Sequence, residues 1–582
     1  MKIDKLRCWV LMGLLVLGLA VLPGGATEEK VIGGTVVGAF SWEDAAVSAP
    51  VIDFSGRPGW IQPNSVGENI NIAKGTLERG GRVTSPNAGS VLRLGSAVLK
   101  EKLNGMVDGD PATAFEAKNV TATGILLVFD LGARFGVNQI RFFPRQTFKD
   151  DYMKGYVLSI NDGEFGADII AASGQQLPDK TLVTVIAQKN DNTRDTIDVR
   201  IPLQYVRYLR LESTQRFSWE IDELQIFGRG YVPEADYLSQ VFDMNQAALW
   251  GNLKWFTEQT GLPEKSRVIL RTRSGSSPSP EDQPDDWSAW STPYKASGDP
   301  ILSPAPRRFL QFSMSFESDG LEDATLVDSL AFEFFSPALA LTILGEISPQ
   351  EVPVGHDTTF TYAVKVGNAQ GFDKLEIDTP APVTAIRQVS VDGVEIATTA
   401  QDMHENGLSV SFARQTGNRN LRVVFDSAVL RYETVFVGRI YDTTRAGSLP
   451  QAVESGDADE AIEGDDLSVR VPLKGQPLVH QLSISPRSFS PNGDGFNDRV
   501  TISYDLLYLT NSVPVAVKIF NLAGDVVAEL PLVDNPSGRH LRQWDGRDLR
   551  GELLNPGLYI LQVEVDADSG TESRSSIVAI AY

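Results

Sequence analysis

Hydrophobic positions along this chain alternate with polar ones in short runs, which is the pattern of half-buried β-strands. Runs rich in Val, Ile, Phe and Tyr recur between clusters of Gly, Pro, Asn and Asp, and sustained helical periodicity is scarce. Typical runs are GILLVFDLG, GVNQIRFFP, YVRYLRLES, VAVKIFNLAG and GLYILQVEV. The pattern predicts an all-β protein built from tandem β-sandwiches.

The length of 582 residues calls for several domains, because a single hydrophobic core stops growing at about 300 residues. Composition and turn clusters predict a signal peptide at 1–26, a linker or leader at 27–75, and four β-sandwich blocks at 76–230, 231–338, 339–474 and 475–582. The first two blocks both close with an Arg-aromatic-Leu strand followed by an Ile/Val-Asp-x-Leu strand. The second block is therefore either a diverged relative of the first or a case of convergence.

The first 26 residues have the layout of a cleaved secretory signal. Lys2, Lys5 and Arg7 precede an apolar run from Cys8 to Leu22, and small residues follow. The run is shorter than the ~20 residues that span a bilayer. We therefore expect a mature chain without a transmembrane segment, located outside the cytoplasm as a secreted or cell-surface protein of bacterial type. Cys8 is the only cysteine, so the mature chain would contain no disulfide.

The formal net charge of −23 narrows the possible partners. Nucleic acids and anionic lipid headgroups both favour basic surfaces, so neither is an expected ligand. Calcium, neutral sugars and basic partners are compatible with this charge, and charge alone does not choose between them.

Five motifs of the first block occur in a recognisable order and spacing. They are LNGMVDGDPATAFEA, ILLVFDLGARFGVNQIRFF, YVLSINDGEF, YVRYLRLES and IDELQIFG. Together they resemble the discoidin, or coagulation factor 5/8 type C, family. The resemblance implies a galactose-binding-like jelly roll whose end loops bind sugars or, in some members, lipids or proteins. The chain lacks the terminal cysteine pair of animal members and has Phe115 where a tryptophan is common.

The turn DGDPAT brings the oxygens of Asp108, Asp110 and Thr113 into one loop, which suits a hard cation such as calcium. An Asx turn that caps its own backbone is the alternative. The discoidin resemblance implies a calcium ion at this loop, with Glu223 from the closing strand as a further ligand.

Two loop segments of the same block carry aromatic and basic residues, a combination that stacks on sugar rings and bonds their hydroxyl groups. The candidate ligand-binding residues are Arg145, Phe148, Tyr152, Arg216, Phe217 and Trp219. Trp219 directly precedes a strand, so it is either a ligand contact or a core residue.

The last block contains SPNGDGFND, KIFNLAGDVV, a Trp-Asp-Gly at Trp544, and NPGLYIL. These elements resemble the Ig-like domain of the flagellar hook-capping protein FlgD. In exported proteins the resemblance implies either a handle for type IX export machinery or a stabilising terminal module. The final residues lack the basic residue that would favour the first role.

Oxygen-bearing side chains in the SPNGDGFND loop are spaced like the beginning of an EF-hand. Asn492, Asp494 and Asp498 occupy positions 1, 3 and 7, but Ser503 stands at position 12 in place of the bidentate glutamate. The loop is therefore either a weak calcium site or simply the first turn of the sandwich.

Catalytic patterns are absent from the sequence. His356, His404, His480 and His540 are scattered, and neither a His-Glu-x-x-His zinc motif nor a Gly-x-Ser-x-Gly elbow occurs. We therefore expect a non-catalytic binding protein that recognises carbohydrate or another surface polymer through its first block. A purely structural surface protein is the alternative, and a glycan-active hydrolase is a third hypothesis.

Overall fold

The computed structural model describes residues 27–36, 38–118, 121–163, 183–472, 477–509, 511–567 and 570–581. The predicted signal peptide lies outside these residues. The fold is all-β, as the alternation predicts, with one compact unit at Glu28–Ser336 and a second that begins at Pro337. Within the described residues, no helix has the length and apolar character needed to cross a membrane.

The described residues of the first unit form twenty strands and two short helices. The strands are β1 (Glu28–Gly33), β2 (Ala46–Ser48), β3 (Ile52–Asp53), β4 (Gln62–Pro63), β5 (Ser65–Val66), β6 (Arg82–Thr84), β7 (Phe115–Ala117), β8 (Leu126–Phe143), β9 (Tyr156–Asn161), β10 (Thr184–Lys189), β11 (Ile197–Ser213), β12 (Trp219–Ile221), β13 (Glu223–Gly228), β14 (Gly230–Tyr231), β15 (Glu234–Ser239), β16 (Phe242–Thr260), β17 (Ser266–Gly275), β18 (Asp299–Pro300), β19 (Arg307–Ser318) and β20 (Ala324–Phe335). The helices are α1 (Ala88–Leu92) and α2 (Ser96–Asn104), and short 3₁₀ turns cover Ile72–Gly75, Gln146–Asp151, Pro263–Lys265 and Pro284–Asp286.

The first block forms an antiparallel sandwich around two long strands. Its main sheet has the order β10-β9-β11-β8-β13, with β6 also paired to β8, and β12 pairs with β7 in a separate ladder. The 18 residues of β8 and the 17 of β11 pair through two shifts of register, which let these long strands bend. Phe129, Leu209 and Trp219 are buried in the core.

A second sandwich follows, built largely from one strand that takes part in both layers. β16 pairs with β19 through Phe242–Ala248 and with β20 through Leu249–Thr260. In one layer β15 and β17 pair with β19, and in the other layer β1 pairs with β20.

The predicted linker or leader at 27–75 is wrong as a description of residues 28–66, because this segment packs with the second sandwich. β1 pairs with β20 from Glu28 opposite Phe334 to Gly33 opposite Ser329. Trp42 is 3 % exposed and packs against Tyr237. The strands are short and their partners lie far away in sequence, so local alternation could not reveal them.

The first block is inserted into the second sandwich. The chain leaves that sandwich at β5 and returns at β14, and these two strands pair with Val66 opposite Gly230. The amide of Val232 also donates to the carbonyl of Asn64 at 2.9 Å. The two ends of the insert are therefore held side by side.

The described residues of the second unit form the remaining strands. They are β21 (Thr342–Ser348), β22 (Thr358–Asp378), β23 (Ala385–Val391), β24 (Val394–Glu395), β25 (Thr398–His404), β26 (Gly407–Ser427), β27 (Glu433–Val435), β28 (Gly438–Tyr441), β29 (Gln451–Ala452), β30 (Glu454–Ser455), β31 (Ser468–Arg470), β32 (Val479–Ser485), β33 (Ser488–Phe489), β34 (Val500–Leu506), β35 (Val513–Phe520), β36 (Val526–Asn535), β37 (Gly538–Trp544), β38 (Gly557–Ala567) and β39 (Gly570–Ile580). The third block is organised around β22 and β26, each of 21 residues and paired to one another.

The last block packs two sheets around Trp544. One sheet has the order β32-β34-β37 and the other β33-β39-β38-β35-β36. Trp544 is 2 % exposed, packs against Phe489 and Tyr559, and donates its indole N–H to the carbonyl of Arg547 at 3.0 Å. The tryptophan therefore fills the core of this sandwich.

Replacing Trp42 by alanine tests whether residues 28–75 belong to a folded domain. The indole N–H donates to the carbonyls of Gly59 and Asp328, each at 3.0 Å. We expect Trp42→Ala to lower the free energy of unfolding by about 3 to 5 kcal/mol, measured by urea denaturation of the full chain. Val36→Ala is the control, since Val36 is 64 % exposed. Equal stability of the two variants would show that the segment is dispensable.

Candidate functional site

The candidate site lies on the first block, beside the two-stranded ladder of β7 and β12. Glu116 and Glu220 stand directly opposite one another in this ladder. Two carboxylates in that position repel each other unless a cation lies between them. Arg145 provides this cation: one terminal nitrogen, Nη2, contacts Glu116 Oε1 at 2.6 Å and Glu220 Oε2 at 2.8 Å.

Glu220 is the anchor of this arrangement, because its side chain has no exposure to solvent. Its Oε1 accepts from Arg145 Nε at 3.1 Å and from the Arg145 backbone N–H at 3.0 Å, and its Oε2 accepts from Lys118 Nζ at 2.8 Å. Burial opposes ionisation of Glu220, but these hydrogen bonds outweigh it and hold the pKa of the carboxyl below its ordinary value. Hydrogen bonding to Glu220 raises the pKa of Arg145.

Phe148 lies over these cations. Lys118 Nζ is 4.1 Å from the centroid of its ring, and the Arg145 guanidinium carbon is 4.8 Å from it. Both distances are in the range of favourable cation–π contact. The side chain remains 44 % exposed. The result is an aromatic surface held in place by two fixed cations, with Asp151 bound to Lys118 at 2.9 Å beside it.

The other predicted ligand residues have different environments. Tyr152 follows the 3₁₀ turn and lies beneath Lys154, whose Nζ is 3.2 Å from the centroid of the tyrosine ring. Arg216 is exposed and Phe217 is 53 % exposed, in the loop just before β12.

Trp219 is a core residue, which corrects its place among the candidate ligand contacts. It is 1 % exposed, and its ring centroid lies 5.6 Å from that of Phe115. A ring with so little exposure has no face for a ligand. Of the two alternatives predicted from the sequence, the structure shows the one in which this tryptophan is a core residue.

Sequence reasoning missed the charged residues that fix the aromatic ring. They are Lys102, Glu116, Lys118, Asp151 and Glu220. A signal was available in the two short motifs that hold the glutamates, AFEA and SWEI, where each glutamate stands between buried apolar residues. Glutamates in such places need partners, and Arg145 was already a candidate.

The predicted calcium loop brings Asp108, Thr113 and Glu223 together. The Thr113 hydroxyl lies 3.1 Å from Asp108 Oδ2, and Glu223 Oε1 accepts from the backbone N–H of Gly109 at 2.5 Å. Asp110 is engaged differently, because its Oδ1 accepts from the backbone N–H of Ala112 at 2.9 Å as in an Asx turn.

Glu223 is the least compensated carboxyl group of this loop. It is 5 % exposed, and its Oε2 has no hydrogen-bond partner in the part of the chain that the structure describes. Burial raises its pKa to about 7, and burial likewise raises the pKa of the neighbouring Asp222 to about 6.

The terminal loop uses its predicted calcium ligands as turn residues. Asp498 accepts from the backbone N–H groups of Gly493 and Gly495, each at 2.7 Å. Asn492 Oδ1 accepts from the amide of Asp494 at 3.0 Å, and Asp494 Oδ1 from that of Phe496 at 2.8 Å. Hydrogen bonds from the loop lower the pKa of Asp494.

Residues 497–569 match the FlgD Ig-like domain family. The resemblance predicted for the last block is confirmed over these residues. A search of curated proteins finds no match.

Several solved structures are similar to part of this chain. A CBM32 module from Clostridium perfringens, solved with GalNAc-β-1,3-galactose, has 17 % identity and a TM-score of 0.19, covering 26 % of this chain and 97 % of its own. A family 32 module from C. perfringens NanJ, solved with galactose, has 14 % identity and a TM-score of 0.18, covering 25 % and 91 %. Chitosan-binding module 1 of a Paenibacillus sp. IK-5 chitosanase/glucanase has 14 % identity and a TM-score of 0.19, covering 28 % and 100 %.

The raised pKa of Glu223 predicts a pH dependence of stability. The unfolded carboxyl releases its proton near pH 4.5 and the folded one near 7, so the folded state binds more protons within this window. The contribution of Glu223 to stability is therefore complete below about 4.5 and is lost as the pH rises through about 7. We expect the free energy of unfolding of the wild type to fall relative to that of Glu223→Gln across this window.

The measurement is urea denaturation of both proteins in the presence of a chelator at several pH values. Glu264→Gln, at an exposed position, is the matched control and should follow the wild type. A constant difference between wild type and Glu223→Gln from pH 4.5 to 7 would contradict the assignment.

Proposed function

We propose that this chain is a non-catalytic binding protein that recognises carbohydrate or another surface polymer through the Phe148 surface of its first block. The observation that carries the proposal is the fixed ring of Phe148, nearly half exposed above Lys118 and Arg145. An aromatic ring of this kind stacks on the apolar face of a sugar, while charged groups around it bond hydroxyls.

The polar groups around Phe148 can reach such a ligand. The side chains of Arg145 and Lys118 are 20 % and 26 % exposed, and those of Glu116 and Asp151 are 31 % and 34 % exposed. The two cations can donate to sugar oxygens and the two carboxylates can accept from sugar hydroxyls. Because their mutual ion pairs already hold them, little side-chain freedom would be lost on binding.

The state of the carboxyl groups supports a binding role over hydrolysis. Hydrogen bonds from cations hold the pKa of both Glu116 and Glu220 low against the opposing effect of burial, so neither retains a proton for a leaving group at neutral pH. Asp222 and Glu223 have raised pKa values, but they are only 4 % and 5 % exposed, which leaves no room for a substrate beside them.

We also propose that calcium binds at the Asp108 loop in support of this fold. Within the described residues no group of three or more acidic or histidine side chains is arranged to hold a metal. A cation here would therefore also use Thr113 and backbone carbonyls. The buried Oε2 of Glu223 has no hydrogen-bond partner among the residues that the structure describes, and this supports the assignment, because a divalent cation could serve as that partner.

The proposed location is outside the cytoplasm, at the cell surface or in the medium. This rests on the signal-like residues 1–26 and on a sequence whose only cysteine falls among them. The FlgD-like terminal domain is proposed either to engage export machinery or to stabilise the end of the chain.

Removal of the Phe148 ring tests the binding proposal. On a glycan array probed with the full chain, Phe148→Ala should weaken binding about tenfold or more, since aromatic anchors dominate such interfaces. Phe496→Ala is the matched control, because Phe496 is 75 % exposed on the terminal domain. Arg145→Ala is a poorer probe, since it would leave Glu220 buried without its main partner.

Two outcomes would contradict the proposal. Wild-type protein that binds no glycan on the array would favour the purely structural alternative. Glycan binding that survives in Phe148→Ala but is lost in another exposed-loop variant, such as Phe217→Ala, would move the site to the neighbouring loop.

Calcium addition tests the metal proposal. At pH 8 we expect millimolar calcium to raise the melting temperature of the unit Glu28–Ser336 within the full chain by about 3 °C or more. The rise should be smaller at pH 5, where Glu223 is protonated and must lose its proton to bind. Glu223→Gln should abolish the rise, whereas Asp494→Asn should retain it. Loss of the rise in Asp494→Asn alone would place the calcium at the terminal loop.

A further inference from the structure

A groove with a volume of about 480 Å³ crosses the outer face of the third block. Its floor is formed by β22, β26 and β23, and its far wall by the loop from Asp457 to Glu460. The volume is in the range of pockets that enclose small molecules, about 300 to 1,000 Å³. This groove lies in a different unit from the Phe148 surface.

Strand register places the polar side chains of the groove on one face. Ala363 of β22 is opposite Arg422 of β26, which is opposite Ser390 of β23, and Lys365 is opposite Asn420. Residues directly opposite in a sheet point to the same side. The alternate residues along these strands, Tyr362, Val364, Leu421, Val423 and Val389, are buried in the core of the block.

The wall of the groove is fixed from below by a buried glutamate. Glu346 of β21 has no exposure, and its Oε1 accepts from the backbone N–H groups of Ala458 at 3.0 Å and Asp459 at 2.5 Å. From the floor, Arg422 Nε bonds Asp459 Oδ2 at 3.0 Å. These contacts hold the loop in one position, so the groove is formed before any ligand arrives.

Three charged groups of the groove are left for a ligand. Lys365 on the floor and Asp457 and Glu460 on the wall are exposed, and none makes an ion pair within the part of the chain that the structure describes. The remaining charges are already paired, since Arg422 binds Asp459 and Asp392 lies 3.7 Å from Arg419.

None of the described residues that line the groove is aromatic. A neutral sugar, which stacks on aromatic rings, therefore lacks its usual partner here. A cationic group on the floor and two carboxylates on the wall instead match a ligand that carries both charges. The buried Glu346 adds to the negative potential behind the wall, because its carboxyl lies under Ala458 and Asp459.

We propose that this groove binds a small zwitterion, namely a short peptide with free ends. The carboxylate of the peptide pairs with Lys365, and its ammonium group pairs with Asp457 and Glu460. The floor spans three strands at ~4.8 Å spacing, and an extended tripeptide reaches ~10 Å. A tripeptide therefore matches the width of the floor.

Isothermal titration calorimetry of the full chain with trialanine tests this site. Free trialanine should bind, and blocking either its amino end by acetylation or its carboxyl end by amidation should weaken binding about fivefold or more. Trialanine blocked at both ends should bind weakest, because it carries neither charge.

Two substitutions assign the charges. Lys365→Met should weaken free trialanine but leave the affinity for its amide unchanged, since the amide has no carboxylate to lose. Asp457→Asn should weaken free trialanine but leave the affinity for the acetylated form unchanged. Lys374→Met and Asp402→Asn, which change residues outside the groove, are the matched controls and should bind as the wild type.

The proposal is overturned if wild-type protein does not bind free trialanine, or if free and doubly blocked trialanine bind equally. Equal loss in Lys365→Met and Lys374→Met would also overturn it. Urea denaturation of the same proteins shows that each variant is folded, and their glycan binding distinguishes failure of this site from failure of the Phe148 surface.

Discussion

A carboxylate with no access to water requires full compensation, and the candidate binding surface depends on how Glu220 obtains it. Arg145 and Lys118 both turn inward to this group, and the same two cations carry the ring of Phe148 on their outer side. Loss of one partner from such a buried pair costs about 3 to 5 kcal/mol. The exposed ring therefore has a fixed position because a residue beneath it cannot be left unpaired.

Two buried glutamates of the first block have pKa values shifted in opposite directions. Glu220 is surrounded by cations, and its pKa is low despite desolvation. Glu223, three residues later, has a backbone amide for one oxygen and, among the described residues, no hydrogen-bond partner for the other, and desolvation raises its pKa. The charge of Glu220 is already compensated by cations, whereas Glu223 can still accept a positively charged partner.

The class of fold and the terminal domain could be predicted from the sequence, because both depend on local alternation and turn motifs. Arg145 and Phe148 could be named for the same reason, as they stand in one short loop. The role of Trp219 could not be predicted, since the sequence pattern around a tryptophan at a strand end is the same whether the side chain packs inward or outward. The pairing of β1 with the second sandwich could not be predicted from the sequence, because its partner β20 lies some 300 residues away.

The insertion of the first block into the second sandwich has a mechanical consequence. The ends of the insert are joined by β5 and β14, and the ends of the host unit by β1 and β20. Tension applied to the chain on either side of this unit would first pull on the β1–β20 ladder, starting at Glu28 and Phe334. The block that carries Phe148 stands outside this line of force and would stay folded while the ladder holds.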